Sequence, residues 1–217
     1  MSEHIDPTDD RPERDRPDPV DPDRDDAEGD IDVESCRGRL LVAMPMLSEG
    51  TFWRSVVLLL DHDEDGALGV ILNHPVHAQV DDVLPDWSGL VAEPDALFEG
   101  GPVATDSALA VGLLSPNIDD TPLGWRQMFG RVGLVDLDVP VAAVEDALVG
   151  LRVFAGYAGW GAGQLEAEIE EGSWIVVDSI DNDLLAANPW NLWREVLRRQ
   201  DSDLRMLSTY PDDPAMN

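Results

Sequence analysis

A chain of 217 residues with 43% hydrophobic content is long enough to bury one sizeable core, and its formal charge of -31, from 45 acids against 14 cations, favours solubility. That balance excludes the usual electrostatic route to nucleic acid, in which Lys and Arg neutralise phosphates; there is no lysine, and the cations cluster only at Arg194, Arg198 and Arg199. No apolar run approaches the roughly 18 residues of a membrane span and the N-terminus is charged rather than signal-like, so no membrane partner and a cytoplasmic location are expected.

Residues 1–34 hold fifteen acids and four arginines, which is -11 of the total and leaves -20 for the rest. Such a segment cannot bury enough apolar surface to offset the entropy of ordering it, and a disordered acidic Pro/Asp/Arg-rich tail is predicted. The single cysteine, Cys36, has no partner for an internal disulfide and reads as a small buried or half-buried side chain. Arg39 to Met44 is a strand ended by Pro45, and Ser48 to Phe52 a short turn or helix. Ser55 to Leu60 and Ala67 to Leu72 flank Asp61-His62-Asp63-Glu64-Asp65-Gly66, and Asp-Gly between two apolar runs predicts a hairpin. Val80 to Leu84 is a helical turn or two stopped by Pro85, with a loop over 86–95. Leu97-Phe98-Glu99 leads into the tight turn Gly100-Gly101-Pro102-Val103, then a strand over Ala108 to Leu114. Ser115 to Met128 reads as loop, Gly130 to Leu137 as strand and Ala142 to Leu148 as helix, the last from its apolar spacing. Trp190 to Arg199 is a final helix with Leu192, Trp193, Val196 and Leu197 as its apolar face. Residues 201–217 are polar and expected to be loosely ordered, with Leu204, Met206 and Leu207 able to dock.

The stretch from Arg152 to Trp174 organises the rest. Val153-Phe154 reads as a strand entering a loop with glycine at 156, 159, 161 and 163; a Gln-Glu-rich helix follows, and then the buried strand Trp174-Ile175-Val176-Val177. A helix N-terminus behind such a loop can offer free N–H groups to an anion, but Glu166 and Glu168 in its first turns would repel a phosphate. In the GxGxxG register the third glycine falls at Glu166, so a dinucleotide fingerprint is not completed. Two readings remain: the loop is packed tightly under Trp160, or it forms a pocket together with Gly100 to Val103.

Gly38 to Pro45, Asp65 to Pro75, Gly100-Gly101-Pro102-Val103 and Gly156 to Ile169 stand in the order and form that resemble the YqgE/AlgH family of bacterial proteins, over about residues 35–200. The resemblance implies an α+β fold: a mixed, bifurcated sheet including a small closed barrel, surrounded by helices. Members usually carry Arg at the position of His74. The resemblance implies little chemistry, since the members are largely uncharacterised.

Asp61, Asp63, Asp65 and Gly66 match the opening of a calcium loop, but its twelfth position is Leu72 rather than Glu and its flanks read as strands; a solvated hairpin turn is the simpler reading, against weak cation binding. His62 is expected to be exposed at that tip, and His74 and His77 have no partners at metal spacing; no metal and no cofactor are expected. Of seven tryptophans, Trp160 and Trp125 are the two suspected of surface work. One functional hypothesis is a non-catalytic cytoplasmic binding or regulatory protein meeting an unknown protein or small molecule through Gly100, Gly101, Pro102, Tyr157, Gly159, Trp160, Gly161, Gly163, Gln164 and Glu166. Another is a hydrolase using Glu166 or Glu168 beside the glycine loop, which requires a carboxyl with a strongly raised pKa. A third gives the acidic tail a role as electrostatic shield or as a contact for basic partners.

Overall fold

The computed structural model describes residues 1, 35–47, 50–118, 120–201 and 203–211; the acidic tail expected over 1–34 therefore lies, apart from Met1, outside the described residues. Val33–Asn217 forms one unit. Its middle is set up by the first apolar runs. β1 (Arg39–Ala43) pairs antiparallel with β2 (Val56–Asp63), and β2 turns at Glu64-Asp65 into β3 (Gly66–Ile71), the hairpin that Asp-Gly predicts. Successive side chains of a strand point to opposite faces. Leu40, Val42, Val56, Leu58 and Leu60 accordingly pack on one face with Trp193, Val196 and Leu197. Leu41, Ala43, Val57 and Leu59 pack on the other with Trp160, Leu165 and Trp174. Cover on both faces is why these strands read as unbroken apolar runs instead of alternating ones.

The remaining strands are β4 (Phe98–Glu99), β5 (Val103–Leu114), β6 (Trp125–Phe129), β7 (Val132–Val135), β8 (Leu148–Gly161) and β9 (Trp174–Asp178), and the sheet order is β6-β7-β5-β8-β3-β2-β1-β9, with β4 beside β8. Every pairing is antiparallel except that of β4 with β8. β8 joins the two halves: Leu148 to Tyr157 pair with β5, and Ala158 to Gly161 with β3. The helices are short: α1 (Val80–Val83), α2 (Gln164–Glu170), α3 (Asp181–Leu184), α4 (Leu192–Arg198) and α5 (Leu204–Leu207). In α4 the predicted face, Leu192, Trp193, Val196 and Leu197, is buried, and each such side chain contributes about 1.5–3 kcal/mol. The mixed α+β class holds. The strand order has ends at β6 and β9, and the described residues form neither the small closed barrel nor the surround of helices that the resemblance implies.

Four sequence-based expectations change. The glycines from 156 to 161 lie within β8 and not in a loop, because main-chain pairing to β3 and β5 asks nothing of the side chains. Trp125–Phe129 is a strand hairpinned through Gly130 (φ 48°) to β7; it needs only one buried face, and the exposed Arg126 and Gln127 disguise it as loop. The helix expected over Ala142 to Leu148 gives way to two three-residue turns, Val141–Ala143 and Glu145–Ala147, because Leu148 is already drawn into β8 opposite Leu114. The loop expected over 86–95 opens with a 3-10 turn, Pro85–Leu90, that buries Trp87. No helix among the described residues is long and apolar enough to cross a membrane.

Candidate functional site

The two glycine motifs meet main chain to main chain. The Gly100 N–H donates to the Ala155 carbonyl at 2.9 Å, and the Gly100 carbonyl accepts from the Ile71 N–H at 3.0 Å. A Cβ on Gly100 would come closer than 3.0 Å to the Gly156 oxygen, and one on Gly101 (φ 149°) closer than 3.0 Å to the main chain of Tyr157 and Ala158. Glycine is required at both for that approach. Pro102 is exposed beside them. Gly159 and Gly161 are exposed in the last turn of β8, opposite Leu68 and Gly66, while Gly163 (φ 71°) precedes α2 in open space.

Trp160 is not a surface residue. It is 7% exposed, its ring 6.1 Å from Phe52 in a stack and 6.0 Å from Trp174 edge-on. Both indoles donate to one oxygen of Glu168, from Trp160 at 2.9 Å and from Trp174 at 2.8 Å; Gln164 donates to the other at 2.9 Å and accepts from the Gly161 N–H at 3.1 Å. Burial pushes the Glu168 carboxyl up, but the three donors outweigh it and leave the pKa below its ordinary value. The raised carboxyl that the hydrolase hypothesis requires is therefore not found at Glu168. A depressed carboxyl pKa contributes stability above the unfolded value of 4.5, and that contribution is lost as pH falls through the folded value. Melting temperature is expected to fall with acidification in that range, and Glu168→Gln, which replaces a charged acceptor, should cost about 1–2 kcal/mol at pH 7 and change the Trp160/Trp174 emission. An unchanged emission spectrum would show that the indoles do not depend on this carboxylate.

His62 is buried, 5% exposed, which corrects the expectation of an exposed tip residue. Its Nδ1 accepts from the Cys36 N–H at 2.9 Å, so the ring proton is on Nε2, which meets Glu166 Oε1 at 2.7 Å. The imidazole has no acceptor nitrogen left for a substrate proton, and Glu166 is occupied as its partner. The reason for the burial is a bulge. Leu59 pairs with Gly69 but Asp61 with Leu68 and His62 with Ala67, so one extra residue in β2 turns His62 to the face of Leu59 and Ala67. Trp125, the other suspected surface tryptophan, is 8% exposed and donates to Gln127 Oε1 at 2.9 Å. The exposed ones are Trp53 at 41% and Trp190 at 67%.

An open groove remains on the expected face. Of about 390 Å³, it has Asp61, Asp63 and Asp65 of the hairpin along one wall and Val103, Tyr157, Gly159 and the edge of Trp160 as an apolar floor. Asp63 accepts from the Asp65 N–H at 2.9 Å, and Arg37 stands 3.9 Å from Asp61. Among the described residues no three His, Cys, Asp or Glu side chains are placed to hold a metal ion.

Residues 40–205 match the model of the AlgH-like family. A UPF0301 protein of Streptomyces avermitilis is 53% identical over 191 residues, covering 87% of this chain and 99% of that relative. One of Thermobifida fusca is 45% identical over 199 residues, covering 88% and 100%. Among solved structures, a Corynebacterium diphtheriae protein superposes with a TM-score of 0.75 at 34% identity over 80% of this chain and 91% of its own. The solution structure of AlgH from Pseudomonas aeruginosa shares the fold, with a TM-score of 0.62 at 24% identity over 82% and 96%. A match across three quarters of the sequence, and relatives aligned along almost their entire length, lead to one statement: the chain belongs to the AlgH-like family.

Proposed function

We propose that this protein is a non-catalytic cytoplasmic binding protein of regulatory type, and that its partner presents a basic segment to the groove between the aspartate hairpin and Tyr157-Gly159. The observation that carries this reading is the groove itself: three carboxylates stand over an apolar floor, a setting that complements an Arg or Lys side chain with its charged head and apolar stem. The engagement of both Glu168 oxygens, by two indoles and by Gln164, and of Glu166 Oε1 by His62 supports binding over hydrolysis. The overall charge of -31 disfavours nucleic acid and anionic membrane as partners.

Titration with a tetra-arginine peptide, followed by amide and indole NMR shifts, tests it. Shifts should gather at residues 61–68, 103 and 157–160. The double variant Asp63→Asn, Asp65→Asn should weaken binding roughly tenfold, as expected when two rim charges of about 0.5–1 kcal/mol each are removed. Shifts spread evenly over the acidic surface, unaltered in the variant, would mean attraction without a site.

A further inference from the structure

At the cavity of about 490 Å³ lined by Trp53, Arg54 and Trp190, the arginines are already engaged by the C-terminal segment: Arg54 donates to the Tyr210 carbonyl at 2.9 Å and Arg194 to that of Ser208 at 2.5 Å. A smaller cavity, of about 280 Å³, is built from the end of α1, the start of β5 and the middle of β8. Its apolar lining includes Val83, 56% exposed, and the half-buried Leu84, Leu97 and Ala155. Its polar lining is three consecutive exposed residues, Thr105, Asp106 and Ser107, and no cation belongs to it. Ligand pockets have this make-up, mostly apolar with a few polar groups that fix orientation.

A bulge brings the three polar residues to one cavity. In a regular strand Asp106 would face away from Thr105 and Ser107. Here Val103 pairs with Tyr157 and Ala108 with Ala155, so four residues, 104–107, stand opposite the single Gly156. The bulge is clamped. A Cβ on Gly156 (φ 70°) would lie 2.6 Å from the Val103 oxygen, 2.8 Å from that of Gly101 and 3.1 Å from Thr105 Cα. Ala104 holds φ 50°, which a residue with a Cβ seldom adopts. Strain of this kind persists where the surroundings enforce it, and it gathers at ligand sites. Among the described residues, none is hydrogen-bonded or ion-paired to the side chains of Thr105, Asp106 and Ser107, so two hydroxyls and a carboxylate are available to a ligand. Asp81 and Asp82, exposed beside Val83 in α1, add negative charge.

We propose that this cavity binds a small aliphatic primary amine, its hydrocarbon chain against Val83, Leu84 and Leu97 and its ammonium on Asp106 with the hydroxyls of Thr105 and Ser107. An ammonium has three donors and no acceptor, which matches three oxygen-bearing side chains and a lining without cations. Charge selects against a carboxylate or phosphate ligand, and the apolar lining selects for a chain over a bare cation. The site is distinct from the groove of the aspartate hairpin, and its test does not depend on that reading.

The test is amide NMR titration of the full chain at neutral pH with five probes. Hexylamine supplies chain and ammonium; hexan-1-ol keeps the chain without charge, hexanoate reverses the charge, methylamine removes the chain, and Nα-acetyl-lysine amide presents the ammonium as a protein would. Hexylamine should bind saturably and at least about tenfold tighter than the other four, with shifts at residues 83–84, 97 and 105–108. Asp106→Asn should weaken hexylamine about tenfold and leave hexan-1-ol unchanged, whereas Val83→Ser should weaken both about threefold. Both side chains are exposed, so the fold is kept, and far-UV circular dichroism of the variants verifies this. The double variant Asp63→Asn, Asp65→Asn should bind hexylamine as the parent does, which separates this site from the groove. No saturable hexylamine binding up to about 10 mM, equal affinity for hexan-1-ol, tighter binding of the lysine amide, or binding that survives Asp106→Asn overturns the proposal. Shifts centred on residues 61–68 and lost in the Asp63, Asp65 variant overturn it too, because they place the amine in the groove.

Discussion

Gly101→Ala is expected to lower stability by more than about 4 kcal/mol, a fall of roughly 10 °C or more in melting temperature for a chain of this size. Two costs coincide. At φ 149° the backbone occupies a region that favours glycine, and the added Cβ would run into the main chain of Tyr157 and Ala158, which is fixed by pairing within the sheet. A flexible side chain could move aside, but paired backbone cannot. Gly100→Ala meets the Gly156 oxygen in the same way. Gly89→Ala is the internal comparison: no atom lies within 4 Å of its Cβ position, and its effect should stay within about 0.5 kcal/mol. Thermal unfolding of the three variants reads the difference, and equal melting temperatures for Gly101→Ala and Gly89→Ala would refute the close approach of the two motifs.

Arg152→Met is expected to cost about 3–5 kcal/mol. Arg152 is fully buried in β8, and its hydrogen-bond acceptors are main-chain carbonyls: Nε donates to that of Leu184 at 2.6 Å, and one terminal nitrogen to those of Glu93 at 3.0 Å and Ala186 at 2.5 Å, with the guanidinium 4.2 Å from the centre of the Phe98 ring. Methionine fills much of the volume but leaves three carbonyls without this donor, and each unsatisfied buried group costs about 1–3 kcal/mol. Burial pushes the Arg152 pKa down to about 10, so it remains charged at neutral pH. Lysine keeps the charge but not the planar fork, so Arg152→Lys should recover less than half of the loss. Chemical denaturation of both variants separates these contributions; full recovery by lysine would assign the effect to charge instead of geometry.

The central strands and α4 were legible because their signals are local. Apolar runs with Asp-Gly between them fix the β2-β3 hairpin, and Leu192, Trp193, Val196 and Leu197 repeat at helical spacing. The meeting of Gly100-Gly101 with Gly156 to Ala158 was legible only as glycine demanding a neighbour, while the neighbour itself lies more than fifty residues along the chain. His62 could not be placed, since the bulge at Leu59 to Asp61 changes which face it shares, and nothing in the residue pattern marks that extra residue. Arg152 gave no signal either: its acceptors are carbonyls near 93, 184 and 186, and a carbonyl has no letter in the sequence. The cavity lined by Trp53, Arg54 and Trp190 has no local signal, because it is assembled from segments far apart in the sequence.

The long strand β8 has a mechanical consequence. Since its first part is laced to β5 and its last part to β3, loss of order in this one strand removes a pairing partner from both halves of the sheet at once and couples their opening. At the margins β6 and β9 each have one neighbour, so peeling them away breaks a single set of strand pairings.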